Sequence, residues 1–184
     1  IGKTWVLSAM GAYAISKGLN VVHYTLELNE AYVGLRYDSI FSGVEGQNLK
    51  YHKEEVMEKL FKLDGNLTIK YYPTKACTVN TLSAHLKKVT TFGTKVDMVL
   101  VDYADIMRDV NKHREMRHAL GSIYEDLRGL AGEMQIPIWT ASQANRSALD
   151  EDVIEASKVA ESYAKVMTAD FVMSLSRKIE DKIG

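Results

Sequence analysis

An α/β fold, with a mostly parallel central sheet flanked by helices, is predicted for this 184-residue chain by three observations. Short apolar runs alternate with longer stretches of helical periodicity along the chain, and strands separated by helices pair in parallel through right-handed crossovers. Polar and acidic residues stand at the carboxyl ends of three of those runs, where open α/β sheets bind their ligands. The chain also opens on Gly2-Lys3-Thr4, the end of the phosphate-binding pattern G-x-x-x-x-G-K-[ST], whose first glycine and feeding strand would lie ahead of Ile1. The expectation is therefore a sheet lacking the strand before that loop.

The elements follow in order. Val6, Met10, Tyr13 and Ala14 recur at helical spacing over Trp5 to Lys17, and Lys17-Gly18 is a stop signal. VVHYTL, within Asn20 to Leu28, reads as a strand, after which Asn29 caps a helix carrying Glu30 in its first turn. A helix over Lys53 to Leu63, a strand over Leu67 to Tyr72, a helix over Val79 to Phe92 and a strand over Val96 to Val101 repeat the alternation. A long helical pattern covers Arg114 to Gln135, followed by strands at Ile136 to Ala141 and Phe171 to Ser176. No internal repeat is visible, and the length suits a single domain over residues 1–184.

With 46% apolar residues, 26% charged residues and only two prolines, the composition is that of an ordinary globular protein and does not favour disorder. The longest apolar run, MVLV within Val96 to Val101, is too short to span a bilayer, and no membrane role is expected. A lone Cys77 cannot form an internal disulfide, and no Cys/His cluster has zinc spacing, so a reducing, cytoplasmic setting fits. A net charge of -1 excludes a wholly basic surface and confines any nucleic-acid contact to a local patch.

The chemistry-bearing residues fit nucleotide hydrolysis. Gly2, Lys3 and Thr4 open a helix, where backbone N–H groups and a lysine cradle phosphates and a hydroxyl helps hold magnesium. Asp102 ends the apolar run MVLV, where it reaches magnesium through water; standing alone, such an aspartate reads as a turn former. Glu27 ends VVHYTL and is the candidate to activate a water, although by itself it is a solvated strand-end charge. After IPIWTA, the run SQANR sets Ser142, Gln143, Asn145 and Arg146 where a polar side chain senses the outer phosphate; without its neighbours this is a polar loop. His23, Cys77, Tyr71, Tyr72 and Trp139 read as packing residues.

These residues resemble the ATPase domain of DnaB-like replicative helicases, the RecA-type motors of bacterial and phage ring helicases. TLELNEAYVGLR resembles the family's Glu-bearing motif with Arg36 at the matching offset, VLVDYADIM its magnesium-binding Asp motif, and LAGEMQIPIWTASQANRS its helix, strand and phosphate-sensing loop. The intervening SGVEGQNLKYHKEEV and LTIKYYPTKACTVNTL keep the family's order, so the likeness covers most of the chain. It implies a RecA-like P-loop NTPase fold and the cofactors ATP and Mg2+. Gly2, Lys3 and Thr4 would hold nucleotide, Thr4 and Asp102 the metal, Glu27 would be the general base, Gln143 the phosphate sensor and Arg36 a support for the Glu27 region. It further implies single-stranded DNA as substrate, a homo-hexameric ring, a primase as candidate partner, and the cytoplasm of a bacterium or phage-infected host.

The chain departs from the family in places. Ala104-Asp105 follows Asp102-Tyr103 where Leu-Gln is frequent, and Ala144 replaces a common leucine. In VAESYAKVMTADFV, Ala160 stands where a DNA-contacting arginine is found, which puts DNA contact through that loop in doubt. The family's trans-acting arginine finger would fall beyond Gly184; such a finger is worth about 10³–10⁵ in turnover, so the chain alone is expected to hydrolyse ATP poorly. RDVNKHREMRH offers Lys112, Arg114 and Arg117 for backbone phosphate contacts, with Arg146 a further candidate. A solvated helix start explains the same run equally well. Two alternatives to a helicase motor share these motifs: a RecA- or KaiC-like ATPase without unwinding activity, and a non-catalytic nucleotide-binding assembly module.

Overall fold

The computed structural model describes residues 2–143 and 164–175. Four strands, β1 (Val21–Thr25), β2 (Leu67–Tyr71), β3 (Met98–Asp102) and β4 (Ile138–Thr140), form one sheet in the order β2-β1-β3-β4. All three pairings are parallel. Six α-helices accompany them among the described residues: α1 (Lys3–Ser16), α2 (Glu30–Ser42), α3 (Lys53–Leu60), α4 (Val79–Thr91), α5 (Met116–Met134) and α6 (Ala164–Thr168). No described helix is long and apolar enough to cross a membrane.

The two-residue period of the strands divides the core. Val22, Tyr24, Val99 and Val101 pack with Leu82 and Leu86 of α4 and Ile123, Leu127 and Leu130 of α5. Val21 and Leu100 turn the other way, onto Leu7 and Ile15 of α1 and Val33 and Tyr37 of α2. Because both faces are covered, β1 is buried throughout and its sequence shows no polar alternation. Asn29 caps α2 by accepting from the Tyr32 N–H at 3.0 Å, as the sequence predicts. At α4, Thr78 and Thr81 close a reciprocal capping box.

Gly11 lets α2 approach α1 closely. A β-carbon there would lie 2.9 Å from Leu100 Cδ1 and closer still to the Tyr37 hydroxyl. That hydroxyl instead meets His23 Nδ1 at 2.9 Å. His23 is fully buried, and the loss of solvent, with Arg36 adding to it, lowers its pKa from 6.5 to about 4. The unfolded chain therefore binds more protons between those values. Stability is expected to be complete above pH 6.5 and to fall by about 3 kcal/mol as the pH drops towards 4. Denaturant midpoints measured across that window in wild type and His23→Asn check this: the variant loses the slope.

Expected element ends shift by one to three residues. The Asn20–Leu28 strand shortens to β1 because the chain bends after Thr25, whose hydroxyl donates to the Leu28 carbonyl at 2.6 Å. The helix expected to reach Leu63 stops at Leu60, where bonds from Lys62 N to Lys59 O and Leu63 N to Leu60 O tighten the last turn. One expected strand is corrected: residues 171–175 form none, and Ser176 lies outside the described residues. The apolar run satisfies strand propensity, but a strand exists only through its ladder, and no described segment pairs with it. Phe171 instead sets its ring edge-on to Trp139 of β4, centroids 5.8 Å apart.

Candidate functional site

The site lies at the carboxyl edge of the sheet. Register sets Thr25 beside Asp102 and Val101 beside Thr140, so the chain leaves β1, β3 and β4 at one level. In β3, Asp102 shares its face with Leu100, which packs under α1, so the alternation that buries Leu100 also turns the carboxylate towards α1. Gly2 caps that helix in the left-handed conformation, with φ 91° and ψ -5°, a backbone that glycine adopts without strain. α1 has no side-chain cap and no acid in its first turn. Its first N–H groups and the positive end of its dipole therefore have no side-chain cap from within the helix.

Two opposite charges are buried beside that helix start. The Lys3 ammonium lies 3.5 Å from the centre of the Tyr103 ring and has no hydrogen-bond partner among the described residues. Burial lowers its pKa, Lys165 adds to the fall, and Glu27, Asp102 and Asp105 oppose it. Asp102 is 0% exposed, with neither carboxylate oxygen partnered among the described residues. Burial raises its pKa, while Thr4, Lys3 and Arg36 pull it back and Glu27 adds to the rise. Thr4 thus approaches the carboxylate without a well-formed hydrogen bond.

Other sequence-predicted residues gather around these two. Glu27 stands two residues beyond β1, exposed, and its charge acts on Lys3, Asp102 and Tyr103. The neighbouring Leu26 N–H donates to the Asp102 carbonyl at 2.8 Å, tying the Glu27 turn to the end of β3. Arg36 of α2 lies 5.2 Å from the Trp5 ring centre and within electrostatic reach of Asp102. Gln143 donates from Nε2 to the Tyr103 hydroxyl at 3.3 Å. Tyr103 therefore touches Lys3 with its ring and Gln143 with its hydroxyl.

The basic run stands apart. Lys112, Arg114 and Arg117 are exposed, on and just after a loop leading into α5, and none is among the charges acting most strongly on Lys3 or Asp102. That loop is organised by Asp109, which accepts from the His113 N–H at 2.8 Å, from His113 Nδ1 at 2.7 Å and from the Asn111 N–H at 3.1 Å. Burial alone would raise the Asp109 pKa, but the hydrogen bonds from His113, Ser122 and Asn111 outweigh it and hold it at about 2. Arg146 and Asn145 lie outside the described residues.

Sequence reasoning missed Tyr103, Asp105, Tyr124 and Lys165. Asp105 Oδ2 accepts from Ser142 Oγ at 3.0 Å and Lys165 Nζ at 2.9 Å, and its Oδ1 accepts from the Tyr124 hydroxyl at 2.8 Å. The available signal was Asp105 itself, an acid three residues past Asp102 in the short helical turn Ala104–Ile106 that follows β3. Its partner Lys165 is 60 residues away and carries no motif.

A sequence profile described as the DnaB-like helicase C terminal domain matches residues 1–182. The DnaB-like replicative helicase of Enterobacteria phage T4 is 27% identical over 187 residues, covering 95% of this chain and 39% of its own length. The replicative DNA helicase DnaB of Helicobacter pylori is 24% identical over 157 residues, covering 83% of this chain and 32% of its own. The chain thus spans less than half the length of these relatives. Among solved structures, one described as an ATPase domain superposes with a TM-score of 0.78 at 16% identity, over 92% of this chain and 63% of that one. A DnaB-like replicative helicase described with its primase interactions gives 0.75 at 15% identity, over 91% and 43%. These two likenesses establish the RecA-like fold, and the profile, which spans all but the last two residues, establishes that the chain belongs to the DnaB-like helicase C-terminal domain family.

Proposed function

We propose that this chain is the ATP-hydrolysing motor domain of a replicative helicase that moves along single-stranded DNA. The observation that carries the reading is a pair of buried charges, Lys3 Nζ and the Asp102 carboxylate, with no hydrogen-bond partner among the described residues, beside a helix N-terminus without a side-chain cap. Burying such groups without partners is costly, and a nucleotide with its metal supplies the missing counter-charges. A hydroxyl and one carboxylate are hard oxygen donors suited to Mg2+, which takes its other ligands from phosphate and water. Among the described residues no group of three or more His, Cys, Asp or Glu side chains is placed to hold a metal by itself, and this mode needs none.

In this reading the α1 N-terminus and Lys3 bind the outer phosphates, and Thr4 and Asp102 hold Mg2+. When bound, the ion offsets charge on the β- and γ-phosphate oxygens. Glu27, solvated and free to meet a water, takes the proton of the nucleophile. Gln143 orients about the γ-phosphate, and Arg36 steadies the Glu27 side of the site. Membership of the family supports proposing a homo-hexameric ring in a bacterial or phage-infected cytoplasm, and the structural neighbour described with its primase interactions supports proposing a primase as partner. Stimulation of ATP turnover by single-stranded DNA in the full-length protein tests the motor reading. A protein that hydrolyses ATP without DNA stimulation is a RecA- or KaiC-like ATPase, and one that only binds it is an assembly module.

For DNA, Lys112, Arg114 and Arg117 are proposed to contact backbone phosphates, joined by Arg146. Reversing Lys112, Arg114 and Arg117 together to glutamate is expected to weaken single-strand binding and reduce the slope of log K against log salt by about 2. Salt titrations of binding to an oligonucleotide measure this. An unchanged slope assigns the run to the solvated surface.

A further inference from the structure

A buried polar cluster lies beside the site, and none of its side chains has been given a direct role on nucleotide or metal. Lys165 of α6 is 2% exposed. Its ammonium donates to Asp105 Oδ2 at 2.9 Å and lies 3.2 Å from Ser142 Oγ, which itself donates to the same Oδ2 at 3.0 Å. The second Asp105 oxygen accepts from Tyr124 of α5 at 2.8 Å. A buried ion pair is stable only when its geometry is well held and its remaining oxygens are satisfied, and both conditions are met here. The cluster pins together the turn after Asp102, the loop after β4, α5 and α6.

Ser142 is the residue immediately before Gln143. The Gln143 loop is therefore anchored twice: through Ser142 to the ion pair, and through the Gln143 amide to Tyr103, whose ring carries Lys3. Asp105 also occupies one of the positions at which this chain departs from the family's Leu-Gln, and Lys165 supplies its counter-charge.

We propose that Lys165 and Asp105 are positioning residues for the phosphate-sensing loop: their ion pair fixes Ser142, and through it the aim of Gln143, so that α6 is mechanically tied to ATP cleavage. The proposal rests on the ATP-hydrolysis reading and deepens it. Side chains at a reacting centre must be held to within about 0.5 Å, and a misplacement of about 1 Å costs up to about 100-fold in rate. Loss of the pair acts chiefly on turnover rather than on nucleotide binding, because Lys3 and the α1 N-terminus stay in place and the opposing fields of Lys165 and Asp105 at Lys3 are removed together.

The experiment measures steady-state ATP turnover, affinity for a fluorescent ATP analogue with Mg2+, and melting temperature in the full-length protein. Lys165→Met is expected to lower kcat about 10-fold while KM and analogue affinity stay within about twofold. Adding Asp105→Asn is expected to bring the melting temperature back up, because the Asp105 carboxylate is then no longer buried without its ammonium, but not to restore the turnover. In a Gln143→Ala background, Lys165→Met is expected to add no further loss. Ser142→Ala, which keeps the Lys165–Asp105 contact but removes the hydroxyl that bonds both partners, is expected to slow turnover with only a small fall in melting temperature, and it serves even if Lys165→Met does not fold.

Recovery of turnover together with melting temperature in the double variant overturns the proposal. So do independent losses from Lys165→Met and Gln143→Ala, or wild-type turnover in Ser142→Ala; each outcome leaves a purely structural ion pair. A wild-type protein that binds no ATP analogue and shows no turnover overturns the underlying functional reading as well, and is recognised before any variant is made.

Discussion

Lys3→Ala is expected to lower ATP turnover by about 10²–10³-fold in the full-length protein, the scale of removing one preorganised electrostatic group from a reacting centre. The loss should not come through unfolding. Among the described residues no hydrogen bond offsets burial of the Lys3 ammonium; what opposes it is the face of the Tyr103 ring and the fields of Glu27, Asp102 and Asp105. Truncating it removes a desolvated charge, so the melting temperature without nucleotide is expected to stay the same or rise. A side chain that lowers stability and is needed for activity marks a binding site rather than a packing position. Thermal melts beside turnover assays separate the two: a variant that loses activity only because it melts early contradicts this account.

Glu27→Gln is expected to keep nucleotide binding and to reduce hydrolysis by about 10²–10⁴-fold, the range attributed to a positioned general base. Its position supports a clean result. Glu27 is exposed beyond the end of β1, and a surface substitution of this kind changes stability by no more than about 0.5 kcal/mol. Binding of a fluorescent ATP analogue should match wild type, with single-turnover cleavage slowed. Normal turnover removes Glu27 from the base role and leaves its charge only a field acting on Lys3 and Asp102.

Much of this was legible in the sequence because it depends on local rules. The apolar run before Asp102 predicts a buried parallel strand, the Asn29 cap predicts the start of α2, and Gly18 predicts the end of α1. Given parallel strands, the carboxyl ends of β1, β3 and β4 must lie on one edge, so placing Glu27, Asp102 and Gln143 together needed topology and no side-chain detail. What escaped was set by long-range packing. Nothing near Lys165 indicates that it is buried against Asp105, and nothing near Tyr103 indicates that its ring receives the Lys3 ammonium. The strand expected over Phe171 to Ser176 failed for the same reason, since apolar content reports propensity whereas a ladder requires a neighbour.

The account depends on the α1 N-terminus and the tips of β1, β3 and β4 sharing one triphosphate and its metal. A crystal structure of the full-length protein with Mg2+ and a non-hydrolysable ATP analogue tests that most directly. In that complex Lys3 Nζ is expected to leave the Tyr103 ring for a phosphate oxygen, Asp102 to lie one water from the metal, and Glu27 and Gln143 to face the γ-phosphate. An analogue bound elsewhere, with Lys3 still against Tyr103 and Asp102 still unpartnered, would contradict it.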